Sequence, residues 1–132
     1  MISLLLSVSV VGALAQPMAT EVFNLRSQCA AFAGKMLEEQ AIGAALTQSQ
    51  ISRYDPRTNR CYVEITVQSS KDSRYQHRYL YDGQTKELLA SSRSEKGIRG
   101  GMIFDRQHIP TRADSWDDAN EYIDQMMAED KK

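Results

Sequence analysis

The chain has 132 residues with 16 basic and 17 acidic side chains, a formal charge of −1 and 42% hydrophobic residues. This size supports one modest core and excludes two independent domains. Near neutrality excludes a dedicated nucleic-acid or membrane-surface binder, which would need a basic excess.

Met1 to Ala15 reads as an export signal. Ile2 to Leu14 carry no charge, and Ala13-Leu14-Ala15 has the small-x-small form accepted before cleavage at Gln16. The apolar run is shorter than the ~20 residues a helix needs to cross a bilayer. No Lys or Arg precedes it, so the amino terminus supplies its positive charge. Residues 16 to 132 are expected to form a single periplasmic or secreted domain, without a membrane span once the signal is removed. No Cys follows the signal to carry a lipid, and no Asn-x-Ser/Thr sequon occurs.

From Glu21 to Gln40, Val22, Leu25, Cys29, Phe32 and Met36 recur at spacings of three and four. That is the apolar face of an amphipathic helix, with Thr20 placed to cap it and Gly43 suited to the turn beyond. Residues 45 to 54 are expected to form a first strand, followed by a turn at Tyr54-Asp55-Pro56-Arg57-Thr58-Asn59-Arg60. The next strand alternates cleanly. Cys61, Val63, Ile65 and Val67 point one way, and Tyr62, Glu64, Thr66 and Gln68 the other.

Two cysteines in an exported chain favour a structural disulfide over two buried thiols or a reactive pair. Cys29 lies on the helix's apolar stripe and Cys61 on the apolar side of the strand. A helix packed on that sheet face brings them together. Closing a loop of ~33 residues contributes roughly 3–4 kcal/mol on the chain-entropy model.

Arg74 to Tyr81 is expected as a third strand, with Tyr75, His77, Tyr79 and Tyr81 on one side. Asp82-Gly83 marks a hairpin into a fourth strand at Lys86 to Arg93. Gly97-Ile98-Arg99-Gly100-Gly101 lacks the Lys-Ser/Thr ending of a phosphate loop and reads as a hinge or bulge before a short fifth strand at Met102 to Phe104. Ser115, with Asp118 three residues on, begins a last helix whose apolar face is Trp116, Ala119, Ile123 and Met126. The fold expected is α+β: an N-terminal helix packed on a four- or five-stranded antiparallel sheet, then a C-terminal helix.

Tyr54 to Cys61 resembles a turn in small, uncharacterised exported bacterial proteins. These carry a Tyr-Asn-Pro-x-x-Asn-x-Cys run, an earlier Cys on a helix and a later Leu-Tyr-Asp, matched here by Leu80-Tyr81-Asp82. Asp55 stands where Asn is more usual. The resemblance implies a shared fold and export, with no activity attached. The element order is also similar to cystatin-like domains, in which a helix packs across an antiparallel meander. The inhibitory Gln-x-Val-x-Gly loop is missing, since Val67-Gln68-Ser69-Ser70-Lys71 does not fit it. Protease inhibition is therefore not implied.

Candidate chemistry is sparse. Arg53, Arg57, Arg60, Arg74 and Arg78 interleave with tyrosines, a pattern weighed as a patch for an anionic polymer against arginines paired to the acidic last helix. Asp114, Asp117, Asp118, Glu121 and Asp124 lack the alternating ligands and Gly of a calcium loop, so no metal site is expected. His77 and His108 have no evident nucleophile partner, and Ser69, Ser70 and Ser73 lack a nucleophile elbow. No catalytic residue and no cofactor are expected.

The function expected is a non-catalytic binding module for an envelope protein or anionic polymer. Its surface would be an exposed Tyr62/Glu64/Thr66 row beside the Arg53–Arg60 turn, with Arg57, Arg60, Tyr62, Tyr75 and Tyr79 as binding residues. The alternative is a small-ligand carrier whose pocket, between helix and sheet, is lined by Tyr75, Tyr79 and Trp116.

Overall fold

A computed structural model describes residues 18–39, 46–105 and 115–128. The segment expected to be an export signal, Gly43, His108 and Asp114 lie outside the described residues. The elements run α1 (Ala19–Glu39), β1 (Leu46–Asp55), β2 (Arg60–Ser69), β3 (Gln76–Asp82), β4 (Leu88–Glu95), β5 (Ile98–Ile103) and α2 (Trp116–Met127). The strands form one antiparallel meander in chain order, β1-β2-β3-β4-β5. This is the α+β arrangement expected from the sequence, with the sheet at five strands.

Each sheet face has its own core. On one, α1 lays Cys29, Ala33 and Met36 against Tyr54, Cys61, Val63, Ile65 and Val67. The expected disulfide is present: Cys29 and Cys61 are bonded, with Cα atoms 5.5 Å apart. On the other face, α2 buries Ile123 against Tyr62, Leu80, Leu89 and Ala90. A register shift at Leu80/Tyr81 lets both Leu89 and Ala90 enter this second core.

Local chemistry sets the element ends. The α1 helix begins at Ala19, and Val22 N–H donates to the Met18 carbonyl at 3.0 Å, so Thr20 lies inside the first turn rather than capping it. Ser69 Oγ accepts from the backbone of Lys71 and Asp72, and Asp72 Oδ1 from that of Arg74, which delays β3 to Gln76. Asp82 Oδ1 accepts from Gln84 N and Thr85 N, and Lys86 takes φ 63° in that turn, so β4 starts at Leu88. At α2 the capping box read from the sequence is complete. Asp118 N donates to Ser115 Oγ at 3.1 Å and Ser115 N to Asp118 Oδ2 at 3.2 Å.

The glycine-rich stretch is a strand, not a hinge. Ile98 to Ile103 pairs with Glu95 to Ala90, with Gly100 and Gly101 in mid-ladder. A Cβ at Gly101 would stand 2.4 Å from Ser115 O and 2.6 Å from Ala119 Cβ. Its hydrogen is what lets α2 lie directly on β5.

Replacing Cys29 and Cys61 together by Ala should lower stability by roughly 3–4 kcal/mol through the loop that the bridge closes. Urea unfolding of the oxidised protein and the double variant measures this. An unchanged midpoint would mean the bridge adds nothing to the packing around it.

Candidate functional site

The structure separates the expected binding residues. Arg60 and Tyr62 lie on the α2 side of the sheet, Tyr75 and Tyr79 on the α1 side, and Arg57 on the turn between β1 and β2. No single surface contains all five. Tyr62 is 4% exposed and Glu64 7%, because α2 crosses over them. The exposed Tyr62/Glu64/Thr66 row is therefore absent.

The arginines expected to meet a partner are largely engaged within the molecule. Arg53 Nη1 donates to the Met126 carbonyl at 2.8 Å, in the last turn of α2. Arg57 pairs with buried Asp55, Nε to Oδ1 3.5 Å, while its backbone N–H donates to the same oxygen at 3.0 Å. Arg60 pairs with Asp82 at 3.5 Å and donates to Asp105 Oδ2 at 3.2 Å, its guanidinium 5.4 Å from the Tyr62 ring centroid. Tyr122 also donates to Asp105. Asp105 itself carried no sequence signal, because its partners are 45 and 17 residues away.

A second lock lies beneath α2. Arg78 donates to Glu64, to Asp124 Oδ1 at 2.7 Å and to Asn120 Oδ1 at 2.8 Å, and Ser92 Oγ donates to Asn120 Oδ1. Burial opposes the guanidinium's charge, but hydrogen bonds to Asp124 and Glu64 and the field of both carboxylates outweigh it. The Arg78 pKa therefore lies above the ordinary arginine value. The basic character of the middle of the chain is neutralised internally, by carboxylates that include the acidic last helix.

The structure does not bring Tyr75, Tyr79 and Trp116 together. Trp116 belongs to α2, where Arg99 lies 4.5 Å from its ring centroid, and the sheet separates it from the two tyrosines.

Among the described residues, nothing packs over one part of the α1-side face. The α1 helix packs on β1 and β2, and β3 to β5 continue the face beyond it. There Tyr75, just before β3, and His77, Tyr79 and Tyr81 within it form a row. Across the strands Tyr79 stands opposite Ser91 and Met102, and His77 opposite Arg93 and Gly100. Ile98 is 73% exposed and Met102 55%.

The rings use their faces on one another. Tyr75 and His77 stack at 4.5 Å and 17°, and His77 meets Tyr79 edge-on at 6.2 Å. His77 Nδ1 and the Tyr79 hydroxyl are 3.1 Å apart. His77 Nε2 has no hydrogen-bond partner among the described residues, Glu95 Oε2 lying 3.7 Å away. Burial and the neighbouring Tyr81 and Tyr75 raise the Tyr79 hydroxyl above the usual tyrosine value, so it stays neutral. Tyr79 and Tyr81 are tilted at 30° with centroids 6.4 Å apart.

Ile98 and Met102 were not anticipated as surface residues. Their signal was the alternation Ile98-x-Gly100-x-Met102, hidden because Gly100 occupies the middle of the apolar side. Among the described residues no group of three or more His, Cys, Asp or Glu side chains is placed to hold a metal ion. Among them, too, no helix is long and apolar enough to cross a membrane. No family model, no curated protein and no solved structure matches the chain.

Arg78→Met should cost about 3–5 kcal/mol, since it strands the buried Glu64 carboxylate. Adding Glu64→Gln should recover much of that loss, and denaturant unfolding of the two variants checks the coupling. Burial and the bond to Asp105 raise the Tyr122 hydroxyl above the usual value. The native state thus keeps this proton after the unfolded chain has lost it. Its contribution is complete below about pH 10 and is lost as pH climbs toward the folded value. Stability followed from pH 9 upward, on the scale of the ordinary tyrosine pKa of about 10, should fall less steeply in Tyr122→Phe.

Proposed function

We propose that the chain is an exported, non-catalytic binding module that engages an envelope protein through the β3–β5 half of its α1-side face. The observation that carries this reading is Ile98 and Met102, exposed beside a row of half-buried tyrosines where the helix stops short. Tyrosine, methionine and arginine are enriched where proteins meet, and tyrosines anchor interfaces at little entropic cost. Arg93, exposed on β4 next to His77 and Ser91, suits an acidic side chain on the partner's rim.

An anionic polymer is the weaker partner, because Arg53, Arg60 and Arg78 already hold carboxylates or carbonyls of the chain itself. Three features support a periplasmic or secreted location. Residues 1 to 15 have the form of an export signal, the Cys29–Cys61 bridge suits an oxidising compartment, and the Tyr54–Cys61 turn resembles that of small exported bacterial proteins. The reading requires no cofactor.

A photo-crosslinking residue replacing Ser91, between Tyr79 and Met102, tests this in cells exporting the protein. The expected result is an adduct with a distinct envelope protein. Its yield should drop roughly tenfold with Arg93→Glu and Met102→Lys together, equivalent to about 1.4 kcal/mol of affinity. A probe at Ile51, exposed on β1, should give no such adduct. Equal labelling from Ser91 and Ile51, or a yield indifferent to the two substitutions, would overturn the assignment.

A further inference from the structure

The β5 strand ends the sheet, and among the described residues no strand pairs with its outer side. Phe104 N–H donates to the Leu89 carbonyl at 2.7 Å. Alternation along an antiparallel ladder then turns the backbone of Gly100 and Met102 toward β4, and that of Arg99 and Gly101 outward. Such an edge is a template for another strand unless charge, proline or a bulge blunts it. The only charged side chain on β5 is Arg99, which lies over Trp116 on the α2 side. Ile98 and Met102 sit two residues either side of Gly100, on the same face.

We infer that β5 pairs antiparallel with β5 of a second copy of this chain, about a two-fold axis at Gly100, to give one continuous ten-stranded sheet. In that register Gly100 meets Gly100 of the second copy, and Ile98 lies beside its Met102. Each exposed apolar side chain thereby gains a cross-strand neighbour, while its outer end stays open to the partner proposed above. The outward backbone groups of Arg99 bond to those of Gly101 in the other copy, and reciprocally. Ile103 lies outside this pairing.

The register is selective. Moving the axis to residue 99 would set Arg99 against Arg99, a like-charge pair directly opposed. Moving it to residue 101 would bring the first turns of both α2 helices, which rest on Gly101, against each other. With the axis at Gly100, Arg99 instead crosses the bare backbone of the other copy's Gly101. It then reaches toward Ser115, Asp117 and Asp118 at the acidic first turn of that copy's α2. The charges of Arg99 and of Asp117 and Asp118 are complementary across the axis. A ladder this short falls below the ~1,200 Å² of a standard interface, so the association is reversible and concentration-dependent.

Gly100→Cys tests the inference directly. Opposed residues of a non-hydrogen-bonded antiparallel pair have Cα atoms about 4.5 Å apart, within the range a disulfide accepts. A Cβ at Gly100 meets nothing nearer than Arg93 Nε at 4.0 Å, so the variant retains the fold. Under mild oxidation it should form a linked dimer about tenfold or more faster than Ser49→Cys on β1, as the effective concentration within a paired edge requires. Met102→Lys in the same background should remove that advantage. Unmodified protein should show a mass rising toward the dimer with concentration in sedimentation experiments, and Ile98→Lys should hold it at monomer. A monomer at every concentration, or Gly100→Cys reacting no faster than Ser49→Cys, would overturn the pairing. The edge would then belong to another occupant, residues 106–114 or a different protein.

Discussion

The Cys29–Cys61 bridge determines where α1 rests, and much of the molecule is arranged around it. Cys61 opens β2 just after the turn from β1, so the bond pins the middle of a 21-residue helix over the first two strands. The β3–β4 hairpin closes on the same residue. Gly83 N–H donates to the Cys61 carbonyl at 2.7 Å, and a Cβ at Gly83 would stand 2.5 Å from Cys61 Sγ. At the end of α1, Lys86 of that hairpin pairs with Glu39 at 3.1 Å. Helix, strand and hairpin therefore converge on one buried sulfur.

The other face is held differently. There the apolar contribution is small, with Ile123 and Ala119 the buried residues of α2, and polar locks flank it. Arg53 holds the carbonyl of Met126, Arg78 spans Glu64 and Asp124, and Arg60 with Tyr122 closes on Asp105. Buried ion pairs add little net stability, since desolvation offsets most of their attraction, but removing one partner is costly. The locks thus act chiefly by specifying where α2 lies. A helix with two buried apolar side chains has few other means of fixing its direction across a sheet.

What the sequence made legible, and what it hid, follows from these two mechanisms. The α1 stripe, the Cys61–Val67 alternation, the cysteine pair and the Ser115–Asp118 box are local patterns, and each names its own structure. Tyr62 and Glu64 show the limit. Alternation separates the two faces of β2, but whether the second face is covered depends on α2, more than fifty residues away. Tyr62 and Arg57 therefore read as neighbours on an open surface, when Tyr62 belongs to a core. The β5 strand was obscured for a local reason. Gly100 and Gly101 carry low strand propensity. Gly101 is needed because Ser115 and Ala119 press on that backbone, a contact invisible in the chain's order.

The uncovered strip is a consequence of the tether rather than an addition to the fold. A helix about 10 Å across spans roughly two strand spacings of about 4.8 Å. With α1 held at Cys61, its packing falls chiefly on β1 and β2. The α2 helix has no covalent anchor and runs obliquely, from Gly101 on β5 at its start to Arg53 on β1 near its end. One oblique helix reaches across its face; one pinned helix leaves β3 to β5 to be closed by other means. Inward, Tyr75, His77, Tyr79 and Tyr81 do this by packing ring on ring. Outward, Ile98 and Met102 have no such neighbours among the described residues. Apolar side chains exposed on a rigid sheet, beside residues already ordered by their own packing, lose little entropy when a partner covers them. The same bond that secures the α1 core therefore leaves a pre-organised surface three strands away.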